Sequence, residues 1–433
     1  MTGVDQANRV RRVTAGTDHP VTVIGIAGGR LDDTAEQALA AADLVVGGAR
    51  HLELVSHLLR QGTRTVVTGP LDPALDAVTA HTGPVAVLAS GDPGWFGIVR
   101  ALRERGITAR VLPAPSSVAL LAARLGLPHD GIVTVSAHGR DPRAALNTAR
   151  ALPLVAVLTG PQFTPADLAQ GLAGWDRRLV VAERLGHSDE RITQYAPDDA
   201  DRAWAEPNVV LVTDPARAAQ QVRWNDQPAA APSGGWALPE AAYRHRDAMV
   251  TKAEIRALVV ARLAPSLGRL VWDVGAGSGS VAVECASLGA AVVAVDRDAA
   301  ACADVAANAQ RHSVSVRVVD GEAPGALDGL PWPDAAFIGG GGTRVVAAVT
   351  ACGVPRIVVA CAALEHAVAA RAGLRGAGYQ VDGAQVAVSR LTELPDGSAR
   401  LAALNPVTVL WADAVDGDRA VLDRPGRPER NQL

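Results

Sequence analysis

Lysine is nearly missing from this chain. Of the 41 basic residues among 433, Lys252 is the one lysine and the rest are arginine. Aromatic residues make up only 3%. With plentiful alanine, glycine and arginine, this reads as a GC-rich coding bias, against which the one lysine stands out. A basic surplus is missing too: 45 acids against 41 bases leave a net charge of −4. Proteins held on nucleic acid by phosphate neutralisation usually show the opposite balance, so no nucleic-acid partner is expected. The four cysteines, Cys285, Cys302, Cys352 and Cys361, form no C-x-x-C pair. That spacing speaks against the common zinc and redox motifs. No metal is expected, and the cysteines read as small buried hydrophobes in a reducing cytosol. No apolar run approaches the ~18 residues that a bilayer span needs. The opening stretch MTGVDQANRVRRVTAGTDHP is polar and lacks the apolar centre of a signal peptide. A cytoplasmic location without a membrane partner is expected.

What is present is ample core-forming material. Hydrophobic residues make up 48% and charged residues 20%, as in ordinary folded chains. At roughly 100–200 residues per domain, the length predicts two or three domains. Residues 223–240, RWNDQPAAAPSGGWALPE, show no hydrophobic period and read as a linker. Residues 1–19 and 415–433 read as loose ends. Between these lie two regions, 20–222 and 241–414. In each, short apolar runs alternate with amphipathic ones, which predicts α/β layers on largely parallel sheets. Thr34-x-x-Gln37 and Thr251-x-x-Glu254 are read as capping boxes, and Thr164-Pro165 as another helix start. YQVDGAQVAVSRL and ARLAALNPVTVLWAD have no helix between them and are expected to pair antiparallel.

The sharpest local signal lies in the second region, at VWDVGAGSGS. A buried strand ends in Asp273. Gly275, Ala276, Gly277, Ser278 and Gly279 then turn into a helix. Glycines there let the backbone turn tightly and approach a ligand closely. Asp296 closes the following strand and is placed to accept from ribose hydroxyls. A dinucleotide fingerprint needs glycine at 280, where this chain has Ser280. S-adenosylmethionine, which needs no pyrophosphate cradle, fits better than a nicotinamide or flavin. A purely structural turn is the other account.

Glu322 and Ala323 follow the third strand, where they border an adenine or form an ordinary solvated loop. The run 339–342 is all glycine, which leaves room for a bulky substrate or gives a flexible loop. Thr251 either caps a helix or lies over the methionine end of the cofactor. Lys252 is a candidate anchor for a substrate carboxylate, as is Arg344 beside the glycine run.

In the first region, Gly25, Gly28 and Gly29 follow the first strand. Gly91, Asp92 and Pro93 sit between a later strand and a helix, where an Asx turn alone would explain them. Ser116 and Ser117 follow another strand and can cap the next helix. His138 is a lone histidine, more often structural than catalytic.

The combination resembles known families. VIGIAGGRLDDTAEQALAAADLVVGGARHLEL, SGDPGWFGIVRAL, APSSVALLAARLGL, VSAHGRDP and ERLGHSDERIT are similar to the tetrapyrrole methylase family. RHLEL, SAHGR and ERLGHSDERIT resemble its branch that methylates C-5 of a corrin precursor. The family often has G-x-G-P-G where this chain has Gly25-Ile-Ala-Gly-Gly29. MVTKAEIRAL, VWDVGAGSGSVAVE, AVDRD, GEAPGALDGLP and FIGGGG resemble class I methyltransferases that act at C-15 and remove CO2 from the C-12 acetate. The resemblance implies a two-lobed tetrapyrrole methylase fold followed by a Rossmann-like methyltransferase fold. It implies methylation of precorrin-6B at C-5 and C-15 with decarboxylation, giving precorrin-8X in cobalamin biosynthesis. It further implies one S-adenosylmethionine per domain, a tetrapyrrole as partner and a homo-oligomer. Methylation of RNA or protein, or non-catalytic sensing, are the competing accounts.

Overall fold

Short valine-, leucine- and alanine-rich runs build the sheets, and amphipathic segments cover them. The computed structural model describes residues 21–29, 31–69, 71–95, 97–217, 236–246 and 250–415. Most of the expected linker and of both loose ends therefore lies outside the described residues. The chain separates into two compact units. One is built from residues up to 130 with 181–193 and 203–209. The other takes 131–180, 194–202 and everything from 210 onward.

The first sheet holds β1 (Val21–Ile26), β2 (Leu44–Gly47), β3 (Arg64–Val67), β4 (Val85–Ser90) and β5 (Arg110–Leu112), in the order β3-β2-β4-β1-β5. All its pairings are parallel. Val21 and Val23 face one core with Leu75 and Val78 of the helix Leu71–Ala80. Ile24 and Ile26 face the other with Ala35 and Leu39 of the helix Asp33–Ala41. Burial on both faces is what a parallel sheet requires. A second sheet follows, from β6 (Val133–Ser136), β7 (Leu154–Leu158), β8 (Arg178–Glu183), β9 (Arg191–Gln194) and β10 (Asn208–Thr213), in the order β6-β7-β10-β8-β9.

The third sheet comprises β11 (Leu270–Val274), β12 (Ala291–Asp296), β13 (Arg317–Asp320), β14 (Ala335–Ile338), β15 (Arg356–Cys361), β16 (Tyr379–Val386) and β19 (Val407–Ala414). Its order is β13-β12-β11-β14-β15-β19-β16. Along β11, Leu270, Trp272 and Val274 face one core with Val345, Val346 and Val349. Val271 faces the opposite core with Ile255, Val259 and Val281. Cys361 and Cys285 sit in these two cores as small buried side chains. The expected antiparallel ending is present: β19 runs antiparallel to both β15 and β16. A separate hairpin of β17 (Ser389–Glu393) and β18 (Ala399–Ala403) connects β16 to β19.

Two helix starts differ from expectation. Asp32, not Thr34, caps the helix Asp33–Ala41, its Oδ1 accepting from the Ala35 N–H at 2.7 Å. A carboxylate at that end also meets the positive pole of the helix. The helix Ala253–Leu263 has Lys252 at its cap position and no side-chain cap. Glu254, expected to close a capping box, instead accepts from Arg390 at 2.6 Å. Thr164 does form the expected cap, reciprocated by Asp167. Residues 236–246 are fastened by the buried Arg256–Glu284 pair. Glu284 accepts from the backbone N–H of Ala237 and of Leu238, each at 3.0 Å, and from the Tyr243 hydroxyl at 3.0 Å.

Candidate functional site

Ligands of open parallel sheets bind beyond the carboxyl ends of the strands, where the strand order reverses. In the third sheet that place is the end of β11, flanked by β12 and β14. The turn 275–279 leaves it with Gly275, Gly277 and Gly279 all at positive φ, 75°, 55° and 71°. Other side chains would be strained there. A Cβ on Gly275 would come within 2.8 Å of the Gly340 nitrogen, so the glycine run after β14 lies directly against this turn. A Cβ on Gly279 would meet Val305 at 2.8 Å, so the helix that follows packs closely on its neighbour. Turn geometry demands all three glycines, and close backbone approach adds to the demand at Gly275.

Asp296 stands where the sequence spacing placed it. Its Oδ2 accepts from the Gly277 N–H at 2.8 Å and its Oδ1 from the Asp298 N–H at 3.0 Å. Each carboxylate oxygen keeps a free acceptor position. The Gly321 N–H donates to the Asp296 carbonyl at 2.9 Å, which brings the 321–324 loop beside this carboxylate. Glu322 there is exposed, with Arg297 3.8 Å away.

Asp273 is 1% exposed. Its Oδ2 accepts from the Ala282 N–H at 2.9 Å. Among the described residues, its Oδ1 and the hydroxyl of the equally buried Ser278 have no partner. Burial raises the Asp273 pKa to about 7 against the pull of the Ala282 N–H, with Asp296 adding to the rise. Either a bound water or a polar ligand would satisfy these two buried atoms. Donors and positive charge would satisfy Asp273, which fits the ammonium and sulfonium of S-adenosylmethionine and not a phosphate. Lys252 and Arg344 lie at the starts of the helices Ala253–Leu263 and Gly342–Ala351. Among the described residues neither side chain forms an ion pair. The Thr251 carbonyl accepts from Arg256.

In the first sheet β1 lies between β4 and β5, so the loops leaving these three strands emerge side by side. They touch at Gly25. A Cβ there would come within 2.1 Å of the Gly91 carbonyl oxygen and 2.6 Å of the Ala114 nitrogen. Gly91, at φ 60°, abuts Ser116 in turn, where a Cβ would come within 3.1 Å of its Cα. Asp92 Oδ1 accepts from the Gly94 N–H at 2.8 Å and holds the turn around buried Pro93. Ser116 caps the helix Ser117–Leu125, accepting from the Ala119 N–H at 3.1 Å. The candidates Gly25, Gly91, Asp92, Pro93, Ser116 and Ser117 are thus brought together. Gly28, three residues after Gly25, makes a further backbone contact: a Cβ on it would lie 2.2 Å from the Gly186 carbonyl oxygen. This second backbone contact was not legible in the sequence. His138 belongs to the other unit, where it lies against Gly160.

Among the described residues no group of three or more His, Cys, Asp or Glu side chains is placed to hold a metal ion. Among the described residues no helix is long and apolar enough to cross a membrane.

Residues 21–201 match the tetrapyrrole (corrin/porphyrin) methylases, and residues 241–410 match the precorrin methyltransferase domain. A Sinorhizobium sp protein named precorrin-6Y C(5,15)-methyltransferase (decarboxylating) is 38% identical over 334 residues, covering 74% of this chain and 77% of that protein. A protein of the same name from Mycobacterium tuberculosis (strain CDC 1551 / Oshkosh) is 33% identical over 345 residues, covering 75% of this chain and 81% of its own length. A probable cobalt-precorrin-6B C(15)-methyltransferase (decarboxylating) from Pyrobaculum calidifontis is 35% identical over 188 residues, 41% of this chain and 95% of that protein. With both regions matched and most of each full-length relative covered, the chain belongs to the precorrin-6Y C(5,15)-methyltransferase (decarboxylating) family.

Proposed function

We propose that the chain binds one S-adenosylmethionine at each of its two glycine cradles. In this reading the first region methylates C-5 of precorrin-6B, and the second methylates C-15 and removes CO2 from the C-12 acetate. The domains are 20–222 and 241–414, joined by 223–240. The observation that carries the reading is the presence of two separate cradles, one around Gly25 and Gly91 and one around Gly275 and Asp296, in a chain of a family named for two methylation positions. The relative named for C-15 methylation alone, matched by 41% of this chain, supports giving that step to one region.

Bound in the cradles, S-adenosylmethionine supplies an electrophilic methyl on a sulfonium sulfur. The protein's own task is placement. In the second region Asp296 accepts from the ribose hydroxyls, Glu322 from the adenine amino group, and Ala276 and Ala323 line the cradle. Thr251 lies toward the methionine end. In the first region Gly28, Asp92 and Ser117 flank the cofactor. Lys252 and Arg344 hold substrate carboxylates as cations. Fixing a ring carbon about 3–3.5 Å from the methyl supplies much of the acceleration as effective molarity. Loss of CO2 needs an electron sink, which the conjugated macrocycle provides. The protein orients the acetate and keeps water out. The reading includes a cytoplasmic homo-oligomer without a nucleic-acid partner.

Calorimetric titration with S-adenosylmethionine tests the two sites. The expected stoichiometry is two per chain. Gly25→Ala, which forces a methyl against the Gly91 carbonyl, and Gly275→Ala, strained at φ 75°, are each expected to leave one. A single site in the unaltered chain overturns the reading.

A further inference from the structure

The end of β4 carries a polar cluster that the cofactor reading does not use. Arg50 donates through Nη2 to Ser90 Oγ at 2.7 Å. The same hydroxyl lies 3.2 Å from His51 Nε2. His51 Nδ1 is sealed from water and, among the described residues, has no partner. Burial first, then the charges of Arg50 and His187, push the His51 pKa down to about 4. The ring is therefore neutral and carries one N–H. Nδ1 lacks a partner in either tautomer, as a buried donor or as a buried acceptor. We assign the proton to Nε2, where it donates to Ser90. Ser90 Oγ then accepts from both Arg50 and His51. Its lone pairs are used, and its own O–H is left to find an acceptor.

Arg50 brings its positive charge directly to this hydroxyl. Burial, then Arg184, lowers the Arg50 pKa, with Glu206 opposing. Arg184 lies 2.7 Å from Asp189. The Arg50 guanidinium, with the charge of Arg184 nearby, is better tolerated with an anion beside it. The cluster also borders the first cradle from two directions. Ser90 directly precedes Gly91, and Gly186, between Arg184 and His187, is in backbone contact with Gly28.

We propose that Arg50 and Ser90, oriented by His51 and backed by Arg184, form a subsite for one carboxylate of the tetrapyrrole, fixing the macrocycle over the first cradle. This rests on the reading of the first region as a tetrapyrrole-methylating site. A carboxylate accepts from the remaining guanidinium N–H groups and from the Ser90 O–H, a charge-assisted set. The methionine end of S-adenosylmethionine carries the same chemical group, so the test separates the two sources.

The full chain is assayed as Arg50→Gln and as Ser90→Ala, with melting curves to verify folding. KM for precorrin-6B and kcat are read from C-5 methylation, and S-adenosylmethionine affinity from calorimetry. The expected result for Arg50→Gln is a KM raised about tenfold or more, from loss of a charge-assisted hydrogen bond. The kcat and the cofactor affinity stay near those of the unaltered chain. Ser90→Ala shifts KM in the same direction by less. With substrate whose carboxylates are methyl esters, the difference between variant and unaltered chain disappears. An unchanged KM, a parallel loss of cofactor affinity, or an equal effect with the ester overturns the subsite. If the unaltered chain itself does not methylate C-5, the functional reading falls and takes the subsite with it. Normal turnover of the unaltered chain beside an unaffected Arg50→Gln variant removes the subsite alone.

Discussion

Asp273→Asn removes a buried ionisable group with almost no change of shape. The hydrogen bond from the Ala282 N–H to Oδ2, 2.9 Å long, can be kept by an amide oxygen. What is lost is the ability to ionise at a position that is 1% exposed. Burial raises this pKa from 3.8 to about 7. The folded chain therefore holds the proton more tightly than the unfolded chain does. The stabilisation this gives is fully present below the unfolded pKa near 4. It is lost as the pH rises toward the folded pKa near 7, and then levels off. At about 1.4 kcal/mol for each tenfold change in proton affinity, the ceiling is about 4 kcal/mol, and partial solvent relaxation brings the expected effect to about 1–3 kcal/mol. The assay is urea unfolding of both chains, without cofactor, at about pH 5 and about pH 8. The asparagine variant gains on the unaltered chain as the pH rises, by that amount. Saturating S-adenosylmethionine shrinks the difference, because a nearby cation favours the carboxylate. A stability difference that does not change with pH refutes the reasoning.

Other perturbations address separate parts of the molecule. Gly25→Ala overpacks the first cradle against backbone, at about 1–3 kcal/mol; product mass should show loss of the C-5 methyl with C-15 methylation and CO2 loss retained. Glu284→Gln leaves Arg256, fully buried, without its countercharge and should destabilise the second unit by about 3–5 kcal/mol in denaturant unfolding. Lys252→Ala and Arg344→Ala should each raise KM for the tetrapyrrole in C-15 methylation while leaving S-adenosylmethionine binding unchanged. An unaltered KM removes that residue from the substrate site.

The second cradle was legible because its parts are local or regularly spaced. Gly275, Gly277 and Gly279 are neighbours in the chain, and the link from Asp296 to Gly277 spans a single helix and strand. The first cradle was only partly legible. Its loops could be read from strand ends and turn residues, but the meeting at Gly25 depends on β1 lying between β4 and β5. Local patterns do not encode strand order. The contact of Gly28 with Gly186 and the bond from Arg50 to Ser90 likewise join residues far apart in sequence. The misread capping box at Thr251 has the same cause. Glu254 finds Arg390, 136 residues away, and that partner outcompetes the local one.

Product mass spectrometry after incubation of the purified chain with precorrin-6B and S-adenosylmethionine tests the central claim most directly. Two methyl groups gained and one CO2 lost is the predicted result. One methyl gained without CO2 loss, or no change of mass despite bound cofactor, would contradict the assignment of a working methyl-transfer site to each half.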